Sequence, residues 1–242
     1  MANRQRAEAR RKAAAKAANG GGSKTWMWVT IGVLVVVAVV GVVIATSGGD
    51  DSPAASDTTA ADSGGLDDLP TSQPVTVTGD PLPAYNPDAG SDDALGLTAP
   101  ILDGFNFNSQ PIKVDAAEGP YMLVFLAHWC PHCNAEVPRL LDWKNSGAIP
   151  AELRVIGVAT AVSETSVNFP PAEWFSNKGW AWPVLVDEAQ GDGAAGKAAQ
   201  AYGASGWPYF VIVGADGKVK VRVSGEVEIS DLQKIVDQAL SS

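Results

Sequence analysis

Both cysteines and both histidines of this chain fall in one hexapeptide, His128-Trp129-Cys130-Pro131-His132-Cys133. A gap of two residues at a helix start lets the two sulfurs close into a small, reducible ring. Three chemistries use such a cluster: thiol–disulfide exchange, metal ligation and haem attachment. Haem attachment requires a histidine directly after the second cysteine, and Asn134 stands there. A zinc or copper carrier would draw on all four side chains, since two Cys and two His fill a tetrahedral shell. Here the four crowd into six residues stiffened by Trp129 and Pro131, with no second, separated pair to close the shell. Exchange fits the pattern best, because an apolar, strand-like run from Tyr121 to Ala127 precedes the cluster and a helical pattern follows it.

Exchange runs through a thiolate, so the first cysteine needs a lowered pKa. A helix N-terminus supplies unpaired N–H groups and the positive end of the helix dipole. Pro131 sits in the first turn without costing a needed donor, and His132 can add positive charge. Cys130 is therefore the expected nucleophile, and Cys133, deeper in the helix, the resolving thiol. A purely structural bridge is the weaker reading, because so short a loop yields little chain-entropy stabilisation. Glu136 lies three residues past Cys133 on the same helix face. There it can handle the proton of Cys133 or face solvent and complement the dipole. His128 reads as a polar residue at a strand edge.

These side chains need a scaffold, and the sequence predicts one. Phe105–Phe107 and Ile112–Val114 pair as a hairpin across 108–111. Tyr121–Ala127 is a buried central strand, followed by a helix from Cys130 to Trp143 that contains Pro138. Arg154–Thr160 is a second buried strand, Pro171–Lys178 a short helix, Trp182–Val186 a short strand and Ala194–Tyr202 a helix. Tyr209–Val213 and Val219–Val223 form a hairpin around Gly214-Ala215-Asp216-Gly217, and Ile229–Leu240 is a closing amphipathic helix. The fold class is α/β: a central mixed sheet with helices on both faces.

Charge divides the rest of the chain. Residues 1–25 carry seven Lys or Arg and one Glu, residues 46–99 carry ten Asp and no Lys or Arg, and the net charge is −10. An acidic remainder argues against nucleic acid as a partner. Trp26 to Ile44 is uncharged and apolar apart from Thr30, long enough to approach the roughly 30 Å hydrocarbon layer. A cleaved signal peptide has a shorter apolar core of about 7–15 residues, so residues 26–45 read as an uncleaved signal anchor. The basic tail 1–25 then stays in the cytoplasm and the remainder lies outside, where disulfide chemistry is at home. Residues 46–99, poor in large apolar groups, read as an acidic disordered tether, and residues 100–242 as the folded domain.

The order of these elements resembles the thioredoxin superfamily: strand, Trp-Cys-x-x-Cys helix, strand, helix, then Gly206-Trp207-Pro208 before a hairpin. Gly206-Trp207-Pro208 matches the loop that in the superfamily holds a cis-proline beside the redox pair, and Pro138 matches its helix proline. The region 100–242 looks closest to the membrane-tethered or secreted branch of TlpA and ResA. It is also similar to the mycobacterial extracellular DsbE-like and DsbF-like proteins. The run Trp129 to Pro138 and the run Lys197 to Gly217 carry that likeness. Val124 stands where thioredoxin and DsbA keep a buried acid, whereas Glu136 matches the glutamate of the TlpA/ResA branch.

The resemblance implies a thiol–disulfide oxidoreductase with no cofactor beyond the Cys130–Cys133 pair, acting on protein thiols or disulfides and served by a membrane redox partner. Pro131-His132 is the dipeptide of DsbA-type oxidants and favours oxidation. The TlpA/ResA likeness allows a reductant for cytochrome c maturation instead. An extended peptide is expected to pair with the backbone just before Pro208, with Trp129, Trp207 and Pro208 as substrate contacts. Trp207 is bulkier than the residue the family usually places there, and shielding of the disulfide or core packing are the other readings of it.

Overall fold

The structure, a computed structural model, describes residues 65–241. The basic tail, the anchor and the first part of the tether lie outside the described residues. Among the described residues no helix is long and apolar enough to cross a membrane.

Among the described residues eight strands make one sheet: β1 (Thr76–Thr78), β2 (Ile101–Phe105), β3 (Pro111–Val114), β4 (Tyr121–Leu126), β5 (Arg154–Ala159), β6 (Val184–Val186), β7 (Tyr209–Val213) and β8 (Val219–Ser224). Their order is β1-β2-β6-β5-β4-β7-β8, with β3 paired to β2. The β4–β5 and β5–β6 pairs are parallel, and β4–β7 and β7–β8 antiparallel. Among the described residues the α-helices are α1 (Pro131–Ser146), α2 (Pro171–Asn177), α3 (Lys197–Ala201) and α4 (Ile229–Leu240).

Every residue of β4 is buried, because both faces of the sheet are covered. Successive side chains of a strand point to opposite faces. Met122, Val124 and Leu126 accordingly join a layer with Val137, Leu140 and Trp143 of α1, Trp174 and Phe175 of α2, and Leu232 and Val236 of α4. Tyr121, Leu123 and Phe125 enter the opposite layer with Ala198 and Ala199 of α3, Tyr202 and Tyr209. Central position and double burial make β4 a rigid base for the hexapeptide that follows it.

Three sequence expectations need correction. The folded region does not start near Pro100. β1 pairs antiparallel with β2, and Val75, Leu82 and Ala94 are buried in the layer that α3 covers. The backbone N–H groups of Leu82 and Tyr85 donate to the carbonyls of Ala201 and Gly203, each at 2.8 Å. Averaged over residues 46–99 the composition is too polar for a core. Residues 65–99 add a layer to an existing core instead, held by a few apolar side chains and by backbone hydrogen bonds. The first hairpin strand ends at Phe105, not Phe107, because Asn106 Oδ1 accepts from the N–H groups of Asn108 and Gln110, both at 2.9 Å. Asn106 and Phe107 thus belong to the turn. β6 begins only at Val184, since Pro183 has no N–H to give a ladder.

Candidate active site

Cys130 occupies the N-cap of α1, in extended backbone conformation, with Pro131 as the first helical residue. Its carbonyl accepts from Asn134 N–H at 3.1 Å and from Asn134 Nδ2 at 3.0 Å, which fixes the first turn. Both cysteines are free thiols here and both are buried. Cys130 is 5% exposed and Cys133 fully buried. The Cys130 thiol lies 3.4 Å from the carbonyl oxygen of Trp207, and the Trp207–Pro208 bond is cis. The proline loop therefore comes to the redox pair as the resemblance implied.

The two thiols are electrostatically unlike. The Cys130 thiol is lowered to about 6, chiefly by the hydrogen bond from the Cys133 thiol. Burial opposes this, and the N–H groups of Cys133 and His132 add to it, with the charge of His132 as the last contribution. The helix start thus acts mainly through its N–H donors, and His132 less through its charge than expected. Cys133 is pushed up by burial and by its role as donor to Cys130.

Glu136 does not face solvent. It is fully buried, and burial pushes its carboxyl up to about 7. Both of its oxygens lie 3.4 Å from the N–H of Val227, and Arg139 Nη1 lies 3.6 Å from one of them. His132 is exposed, with Nδ1 2.7 Å from Glu226 Oε1, and this carboxylate holds the imidazole above its ordinary pKa. Trp129 is half-buried and donates its indole N–H to Ala161 O at 2.7 Å. Trp207 is half-buried and packs against both apolar layers.

His128 is not an edge residue: it is 1% exposed. Its Nε2 accepts from Ser163 N–H at 3.2 Å, so the ring proton sits on Nδ1, which donates to Val167 O at 2.8 Å. Burial lowers its pKa and keeps it neutral. His128 therefore ties the 161–169 loop to the residues just before the nucleophile. With both of its nitrogens engaged, and His132 paired to Glu226, the four-ligand shell of the carrier reading does not assemble. Among the described residues no group of three or more His, Cys, Asp or Glu is placed to hold a metal ion.

Sequence reasoning missed Arg139, Glu226 and Val227. Arg139 was within reach, as the basic residue three past Glu136 on one helix face. Glu226 and Val227 lie some ninety residues further on, and nothing local marks them.

A thioredoxin-like sheet with a dithiol at the start of the helix that follows the central strand, faced by a cis-proline, defines a class: the thioredoxin-fold thiol–disulfide oxidoreductases. The AhpC/TSA family model matches residues 92–222, more than half of the chain, and the chain belongs to that family. The match begins before Pro100, in keeping with the earlier domain start. The chain is 28% identical to mouse nucleoredoxin over 135 residues, 55% of this chain and 28% of that protein, so the match spans little more than a quarter of the relative's length. Among solved structures, a DsbF homologue from Corynebacterium diphtheriae is similar at 16% identity and a TM-score of 0.50, covering 65% of this chain and 99% of that one. A thioredoxin-family thiol:disulfide interchange protein from Chlorobium tepidum TLS is similar at 23% identity and a TM-score of 0.47, covering 61% and 98%. At 16% identity the likeness to the DsbF homologue is one of fold.

Proposed function

We propose that the protein is a membrane-anchored thiol–disulfide oxidoreductase working outside the cytoplasm, and that it oxidises pairs of thiols in client proteins. The observation that carries this is the contrast within the pair. Cys130, at the helix start, is lowered to about 6, while buried Cys133 is raised. In the oxidising direction a client thiolate attacks Cys130 Sγ of the Cys130–Cys133 disulfide. A mixed disulfide forms, and Cys133 leaves and takes a proton, for which Glu136 at about 7 is poised. A second client thiolate then attacks the client sulfur of the mixed disulfide, and Cys130 leaves as a thiolate. The client loses two electrons and two protons and gains a disulfide; the protein is left reduced, with Cys133 as thiol and Cys130 as thiolate, and the second proton goes to solvent. A membrane redox partner, itself a disulfide or a quinone, takes the two electrons back.

Direction follows from what the reduced state gains. Only the dithiol form carries a Cys130 thiolate, and a stabilised reduced form makes a strong oxidant. With an unfolded value of about 8.5, the depressed thiol stabilises the reduced form fully above pH 8.5. That contribution is lost as pH falls through about 6. The reductant reading keeps one observation in its favour: Glu136 can equally take the proton of Cys133 when that thiol attacks a mixed disulfide.

Anchoring rests on the apolar run 26–44 and its basic flank. One experiment on spheroplasts tests location and direction together. A membrane-impermeant maleimide is added before and after brief treatment with reductant, and the chain is followed by size. The expected result is labelling only after reduction, on a chain that retains its first 25 residues. Labelling without reductant would turn the direction to reduction. No labelling in either case would place the domain inside, and a chain starting after residue 44 would remove the anchor.

A further inference from the structure

We propose that Glu226 is a positioning residue that couples the two halves of the redox site, holding His132 beside Cys130 and, through Arg139, setting the charge on Glu136 beside Cys133. This rests on the reading of Cys130 and Cys133 as the exchanging pair. The turn 225–228, between β8 and α4, brings three groups against α1. Glu226 Oε1 lies 2.7 Å from His132 Nδ1, and its other oxygen 3.3 Å from Arg139 Nη1. The same Nη1 lies 3.6 Å from Glu136 Oε2 and 3.6 Å from Glu228 Oε1. The N–H of Val227, between the two glutamates of the turn, points at the Glu136 carboxyl. One carboxylate thus bridges the side chain between the cysteines and the cation that faces the buried acid. Residues 132, 136 and 139 recur at helical spacing, so one face of α1 presents all three to the turn.

The charged and titratable groups facing Glu136 are Cys133 and Arg139 from α1 and Glu226 and Glu228 from the turn, with His132 acting through Glu226. Neutralising Glu226 has two effects on Glu136, and both act in one direction. A like charge disappears, and Arg139 is left with Glu136 and Glu228 alone. Both favour the Glu136 carboxylate and leave less of its protonated form to serve Cys133 near neutral pH. Removing Arg139 does the reverse. His132, meanwhile, loses the carboxylate that raises its pKa. An ordinary surface ion pair would alter stability slightly and leave the buried carboxyl alone.

The test is an NMR titration of the reduced full-length chain in detergent micelles, with ¹³C at the glutamate carboxyls and ¹⁵N in the imidazoles. In Glu226→Gln the midpoints of Glu136 and His132 are both expected to fall, that of Glu136 by about 1 pH unit. In Arg139→Met the midpoint of Glu136 is expected to rise. A Glu136 midpoint that stays or rises in Glu226→Gln, or moves the same way in both variants, overturns the coupling. Exchange with a small disulfide is measured alongside. Failure of exchange in the unsubstituted protein would overturn the functional reading, whereas the opposed midpoint shifts bear on the coupling by themselves.

Discussion

Glu136→Gln is expected to gain stability relative to the unsubstituted protein as pH rises from 4 to 8, and to form mixed disulfides with client thiols more slowly. Both effects come from one fact: a fully buried carboxyl titrates near neutrality, at about 7. Its unfolded value is about 4.3. A carboxyl whose folded pKa is raised costs nothing while protonated in both states. It removes stability as pH climbs from its unfolded toward its folded value, and the loss is complete above the folded value. Glutamine does not titrate, so the gap between variant and parent opens over that window and levels off. By linkage the opening is on the order of 3 kcal/mol, an upper figure because water reaching the site would reduce it. Any packing cost of the amide adds a constant and leaves the pH slope intact. The step in which Cys133 leaves loses its proton donor and slows by about a hundredfold or more. Urea unfolding at pH 4 and pH 8, with stopped-flow exchange at pH 7, measures both. A stability difference equal at the two pH values would contradict the buried titrating carboxyl.

Asp92→Ala is expected to cost on the order of 3 kcal/mol. Arg222 of β8 is nearly inaccessible, with 1% of its side chain exposed. Its guanidinium pairs with both oxygens of Asp92, Nε donating to Oδ2 at 2.9 Å and Nη2 to Oδ1. Nη1 donates to Pro83 O at 2.7 Å, and the Tyr85 ring lies 5.3 Å away. Asp92, Pro83 and Tyr85 all belong to the segment taken from sequence as a tether. Removing the carboxylate leaves a buried cation with carbonyls and aromatic side chains around it but no anionic partner. The guanidinium holds Asp92 below the usual carboxylate range, so the pair contributes fully above about pH 4 and weakens as pH falls through the lowered value. Urea unfolding at pH 7 measures the loss. A change below about 0.5 kcal/mol would mean that residues 65–99 are not part of the cooperative domain.

That segment shows where sequence reading stops. β4 and the helix after it were legible because seven apolar residues run into a helix start, and a buried strand has no other simple pattern. The cysteines were legible because their spacing is itself the chemistry. Asp92 was not, since its charge takes its meaning from Arg222, 130 residues later, and within 46–99 it reads only as one more repelling carboxylate. His128 was misread for a similar reason. A histidine before a redox pair looks exposed until the 161–169 loop folds over it and occupies both of its nitrogens. Glu136 was visible as a candidate, but its burial depends on the turn at 225–228, which no local pattern announces.

The most direct measurement of the central claim is capture of client proteins by the two single serine variants. With Cys133→Ser no second thiol of the protein can displace a client held on Cys130. Cells producing that variant are expected to accumulate adducts of higher mass that collapse on adding reductant. With Cys130→Ser, the buried and raised Cys133 captures none. Adducts on Cys130→Ser, or on neither variant, would contradict Cys130 as the sulfur that exchanges with clients.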